Sequence, residues 1–181
     1  MTLQFSLTEN DFLQHQLYLA TKSESVKEKR KRSWLISMLA FLSLSFLFYR
    51  NGDKVIMYYF FACFIVCLFF YPLYLRSYYK KHYQNFIANT YKNRFNQIAS
   101  ITLNDTNIET ADENCESKIN LPGFEKFIET ADYIYLRLIS GGDIIIPKHK
   151  IEDLGILKTE LQRLAKKANI NFVSELDWKW K

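Results

Sequence analysis

Glycine is scarce in this chain, with 5 in 181 residues, and proline and cysteine number 3 each. So little glycine excludes collagen-like and low-complexity folds and leaves little room for loops that cradle phosphate. Three cysteines exclude a disulfide-dense secreted scaffold. No nucleophile elbow, Walker loop or dinucleotide fingerprint occurs. The only histidines, His15, His82 and His149, fall in different segments, and no His/Cys/carboxylate spacing suits zinc. No catalytic residue, cofactor site or metal site is therefore expected. Disorder is excluded as well, because hydrophobic residues make up 49% of the chain.

The mean hydropathy of −0.16 is that of a soluble protein, but the average conceals where the apolar residues lie. Residues 34–49 (WLISMLAFLSLSFLFY) are 16 consecutive residues without a charge, and 55–75 (VIMYYFFACFIVCLFFYPLYL) are 21 more. At the helical rise the second run is roughly 32 Å long, enough for a hydrocarbon core, while the first is roughly 24 Å and needs snorkelling flanks. Both are apolar all round, unlike the helices of a small soluble core, and the expected structure is a transmembrane hairpin. Its turn is Arg50-Asn51-Gly52-Asp53-Lys54. Serines in the first run can return their hydroxyls to carbonyls one turn earlier, so they do not forbid a span.

Lys27, Lys29, Arg30, Lys31 and Arg32 precede the first run, and Arg76, Lys80 and Lys81 follow the second, against only Arg50 and Lys54 between them. This bias places both termini in the cytoplasm, with the protein integral to the cytoplasmic membrane. A cleaved signal peptide is not expected, since the apolar run starts late and no small-residue cleavage site follows it. Residues 76–98 carry five basic and no acidic groups, and residues 99–181 carry 11 basic against 14 acidic. Positive charge thus belongs to the membrane flanks, where it suits anionic headgroups, and nucleic-acid binding is not expected.

The flanking segments carry weaker patterns. Residues 2–8 alternate, with Leu3, Phe5 and Leu7 on one side, and predict a strand; Thr8 and Asp11 form a capping pair for a helix running from Glu9 toward Ser23. Residues 76–94 are expected to extend the second span as a helix. From Ala99 the period is two, predicting an antiparallel meander of about five strands, with Pro122-Gly123 and Gly141-Gly142 as turns. Leu154, Leu157, Leu161, Leu164, Ala165 and Ala168 then repeat at helical spacing, with Asn169 as the C-cap. The fold class is thus an α+β membrane protein: a two-helix transmembrane hairpin, then an antiparallel β-meander with one C-terminal helix. The domains are 1–33 (strand and cytoplasmic helix), 34–75 (hairpin), 76–98 (juxtamembrane helix), 99–170 (β domain with helix) and 171–181 (tail). The strand at 2–8 is expected to join the sheet of the distant β domain.

Three clusters are candidates for chemistry. Cys63 and Cys67 lie one helical turn apart within the second run and read as small hydrophobes. Asp112, Glu113 and Glu116 read as a solvated loop. Lys148, His149 and Lys150 form a basic patch at a strand end that would, with Arg76, Lys80 and Lys81, contact lipid headgroups.

The run Ile134-Tyr135-Leu136 after Ala131-Asp132, the strand end Ile144-Ile145-Ile146-Pro147-Lys148 and the Leu-rich last helix resemble the YcxB-like family of small bacterial membrane proteins. The resemblance, carried mostly by residues 98–168, implies a pleckstrin-homology-like C-terminal domain. Phe124 stands where that pattern commonly has a Trp before the fourth strand. No catalytic residues come with the family. The expected function is a non-enzymatic membrane anchor presenting this domain to a protein partner or to itself. The alternative is an anionic-lipid sensing module at the cytoplasmic surface.

Overall fold

A computed structural model describes residues 1–113 and 115–180. The chain divides into two compact units: residues 1–15 with 87–179, and residues 16–86 with Trp180.

The helical unit is built from three helices. Helix α1 (Glu9–Lys22) ends at Ser23, whose hydroxyl caps α2 (Glu24–Arg50) by accepting the Val26 N–H at 3.5 Å. One residue therefore interrupts what would otherwise be a continuous helix into the first apolar run. Gly52 takes φ +83° in the turn, a conformation that costs glycine little, and α3 (Lys54–Thr90) returns. Helix α3 carries the juxtamembrane segment only as far as Thr90; a 3-10 turn follows, and a strand opens at Ile98, short of the helix expected over 76–98.

The two long helices meet through polar and aromatic pairs. Ser45 donates to the Met57 carbonyl at 3.1 Å, so it serves the neighbouring helix and not its own turn. The Ser33 and Tyr71 hydroxyls lie 2.8 Å apart, and Phe48 stacks on Phe60 at 5.5 Å. Leu39, Phe46, Val55 and Phe69 are exposed, and both helices are long and apolar enough to span a membrane.

Among the described residues the β unit contains eight strands: β1 (Thr2–Ser6), β2 (Ile98–Leu103), β3 (Asn107–Ala111), β4 (Glu116–Asn120), β5 (Phe124–Thr130), β6 (Tyr133–Leu138), β7 (Asp143–Pro147) and β8 (Asn171–Glu175). They form two four-stranded sheets, ordered β1-β2-β3-β4 and β7-β6-β5-β8. This corrects the single meander of about five strands. Between β4 and β5 the chain passes through a 3-10 turn at Leu121–Gly123, where Pro122 has no N–H to give a ladder, and β5 begins a new sheet. The alternation of residues 2–8 predicts the first strand, and it pairs antiparallel with β2, Leu3 opposite Ile101, joining the sheet of the distant β domain.

The final segment was expected to be a tail, but β8 lies parallel to β5, Phe172 opposite Phe127. A parallel pairing needs a long crossover, and α4 (Leu154–Ala168) supplies it. Asn169 ends that helix at φ +55°, as its composition suggested.

One core joins both sheets to α4. Phe5, Ile101, Leu103 and Ile108 come from the first sheet, Phe127, Ile134, Leu136 and Ile146 from the second, and Leu157, Leu161 and Leu164 from α4. Strands β5 and β6 are buried on their other face too: Ile128, Tyr133 and Tyr135 are each less than 5% exposed. Replacing Phe5 with Ala should destabilise the β unit by about 3 kcal/mol. Deletion of residues 2–8 should lower its denaturation midpoint further; an unchanged midpoint in either variant would separate β1 from the core.

Candidate functional site

Three buried or nearly buried carboxylates organise the polar interior of the β unit, and each meets partners remote in sequence. Asp11, 1% exposed, sits in the first turn of α1. It forms a capping box with Thr8, whose N–H it accepts at 2.7 Å, and takes the Tyr133 hydroxyl at 2.8 Å. Lys150 Nζ lies 3.5 Å from the same carboxylate and donates to the Ser6 carbonyl. Burial alone would raise the Asp11 pKa, but Thr8, Tyr133 and Lys150 outweigh it and hold it below the usual value. Burial and the Asp11 charge together push Tyr133 well up.

Asp143 opens β7 directly across from Arg137 on β6. Arg137 donates to both carboxylate oxygens, at 2.9 and 3.0 Å, in the bidentate geometry that suits a guanidinium. His15 Nε2 lies 2.7 Å from Oδ2, and its ring sits 5.1 Å from Tyr135. Burial again works to raise the Asp143 pKa, and His15 with Arg137 overcomes it, bringing the group down to about 2. Glu129 follows the same pattern: burial is outweighed by Lys148 at 2.8 Å and Lys158 at 2.8 Å, and its pKa falls.

The basic patch at 148–150 is therefore not a free cationic surface. Lys148 donates inward to Glu129 and to the Thr130 carbonyl, and Lys150 turns to Ser6 and Asp11, while His149 alone is exposed, edge-on to Tyr133. A sequence shows that two lysines flank a histidine; it does not show which carboxylates, 19 and 139 residues away, lie beneath them. Arg76, Lys80 and Lys81 are exposed on α3. Asp112 caps its own turn, accepting the Cys115 N–H at 2.8 Å. Among the described residues no group of three His, Cys, Asp or Glu side chains is placed to hold a metal ion.

A groove of about 400 Å³ opens between the first sheet and β7. Phe5, Leu7, Phe12, Ile101, Ile119 and Ile144 give it an apolar lining, and Arg94, Asp112 and Cys115 stand among its polar residues. Among the described residues strand β7 is an edge of its sheet, with β6 as its neighbour. The walls of the groove come from residues 5–12 and from residues 94–145, so no single stretch of sequence displays it.

The sign of the carboxylate effect fixes a pH dependence. A carboxyl lowered from 3.8 to about 2 stabilises the folded state fully above its ordinary value and loses that contribution as pH falls toward 2. For Asp143 this amounts to about 2 kcal/mol. Asp143→Asn should cost about 3 kcal/mol near neutrality, since Arg137 and His15 lose a buried partner, and the cost should shrink between pH 4 and 2. Denaturation midpoints against pH would check this; parallel curves for the two proteins would refute it.

No curated protein and no solved structure matches the chain. The family likeness has direct support: residues 103–160, from the end of β2 into α4, match the family model described as YcxB-like protein.

Proposed function

We propose that the chain is a membrane-anchored, non-enzymatic protein whose β unit is a cytoplasmic pleckstrin-homology-like domain that docks an extended segment of a protein partner. The observation that carries the anchored topology is the pairing of β1 with β2. These strands flank both apolar helices in sequence yet share one sheet, so any crossing of a bilayer between them occurs an even number of times. Two apolar helices satisfy that condition. The excess of Lys and Arg on the outer flanks of the hairpin argues that the shared side is the cytoplasm. Exposed side chains such as Leu39, Val55 and Phe69 call for a non-aqueous surrounding.

Two sheets closed by an amphipathic C-terminal helix are consistent with the pleckstrin-like expectation. The docking role rests on the groove beside edge strand β7, which offers apolar contacts to alternate side chains and a strand edge to a peptide backbone. The buried carboxylates argue against catalysis, since each is paired with an internal cation and held charged at neutral pH. The alternative reading, anionic headgroup contact, draws support from Arg76, Lys80 and Lys81 more than from the inward-turned Lys148 and Lys150.

Cysteine labelling tests the topology. Native Cys115 is exposed in the β unit and Asn51 is exposed in the turn. A membrane-impermeant thiol reagent added to intact cells should modify an Asn51→Cys variant at the new thiol and reach Cys115 only after lysis; labelling of Cys115 in intact cells would overturn the topology. A photo-crosslinking side chain at Ser117, in the groove, should give a discrete protein adduct in membranes, and one at Lys167, exposed on α4, should not. Equal adducts from both positions, or none from Ser117, would remove the docking role.

A further inference from the structure

We propose that α2 and α3 hold one anionic phospholipid by its phosphate, in a groove of about 270 Å³ lined by Lys27, Arg30, Lys31, Trp34, Pro72 and Leu75. The proposal rests on the membrane reading above and names a site that reading does not contain.

Residues 27, 30, 31 and 34 are spaced i, i+3, i+4 and i+7, so α2 presents them on one face. Three of the four are cations. The fourth, Trp34, has an indole Nε1–H that is shielded from solvent and meets no acceptor among the described residues. An indole N–H is a donor only, and a buried donor without an acceptor is costly. Trp34 lines the groove beside the three cations, and an oxyanion seated there meets the charge and, with a turn of the indole, gives the buried N–H the acceptor it lacks. Lys27 also pairs with Glu24 at 2.7 Å, but both groups are well exposed, and such pairs bind weakly enough to exchange.

Arg30 is held in place by aromatic rings. Its guanidinium lies 5.9 Å from the Tyr79 ring and 5.2 Å from the Trp180 ring, and Trp180 is fixed by donating its own indole N–H to the Arg76 carbonyl at 3.3 Å. On α3, Pro72 and Leu75 complete the lining with apolar surface.

Place along the hairpin identifies the anion as part of a lipid. Trp34 opens the first apolar run and Leu75 closes the second. The groove therefore lies at the level where apolar helix surface gives way to charge, the depth of the phosphates in a bilayer. Its floor of Trp34, Pro72 and Leu75 continues into the exposed apolar faces of the helices, along which acyl chains would run. A free phosphate would use the cations and leave that floor wet.

The test uses the full chain in nanodiscs of equal phosphatidylglycerol and phosphatidylcholine, transferred to mild detergent, with native mass spectrometry counting the lipids retained. The wild type should retain phosphatidylglycerol in preference to phosphatidylcholine. Lys27→Gln with Lys31→Gln should cut that preference by about fivefold per cation. Trp34→Phe, which keeps the ring and removes the N–H, should cut it by about tenfold. Arg50→Gln with Lys54→Gln, the same charge change at the turn, should leave it intact, and millimolar inorganic phosphate should not displace the lipid. A bilayer-embedded chain with no preference, an equal loss from the turn variant, or displacement by phosphate overturns this proposal alone. A chain that alkaline carbonate strips from membranes overturns the membrane reading and this proposal with it.

Discussion

The β1–β2 ladder joins residues a hundred positions apart; the Thr2 and Thr102 hydroxyls, for example, lie 3.1 Å from each other. Everything between them, including both long helices, is in effect an insertion into one β unit. Closing a flexible loop of that length costs about 4 kcal/mol beyond a constant term. The helical hairpin reduces that cost, because Ser33 and Tyr71 bring its two basic-flanked ends within hydrogen-bond distance. Burial of Phe5, with Leu3 and Leu7 packed beside it, offsets much of the remainder. A strand of five residues is thus enough to complete a sheet, because the chain connecting it is already folded back on itself.

The polar interior obeys a second rule. Asp11, Glu129 and Asp143 are all desolvated, which by itself would neutralise them, and in each case a cation and further hydrogen bonds reverse the effect. Such pairs add little net stability compared with apolar packing, but they are costly to break, and so they fix which segment lies against which. Asp11 sets α1 against Tyr133, and Asp143 sets it against Tyr135 through His15. The outer faces of β5 and β6 are buried under this arrangement, which is why β6 opens on Tyr133, Ile134, Tyr135 and Leu136 with no polar residue among them, and why the charged Glu129 of β5 needs internal partners.

What the sequence made legible were features written locally. The two apolar runs are contiguous, the last helix repeats its leucines at 3.6, and the N-terminal strand alternates, so each was readable from a window of residues. The split into two sheets was signalled by Leu121-Pro122-Gly123, but one Pro-Gly looks the same in a hairpin turn as in a crossing between sheets. Strand β8 went unread because NFVSE is short and holds only two apolar residues, and its partner is a strand more than forty residues earlier. The basic patch misled for a related reason: the charge of Lys148 and Lys150 is local, but the acids that absorb it are not. The aromatic and cationic groove of the hairpin was half visible, since its basic face sits on one helix and its apolar wall on the other.

The insertion also orders events at the ribosome. The first strand leaves the exit tunnel about ninety residues ahead of β2. At typical elongation rates that interval is roughly 5–20 s. Throughout it Leu3, Phe5 and Leu7 have no sheet to enter, while the two long apolar helices are still emerging behind them. The nascent amino terminus must stay unpaired and soluble during that wait, and the alternating Thr2, Gln4 and Ser6 give it the polar side on which to do so.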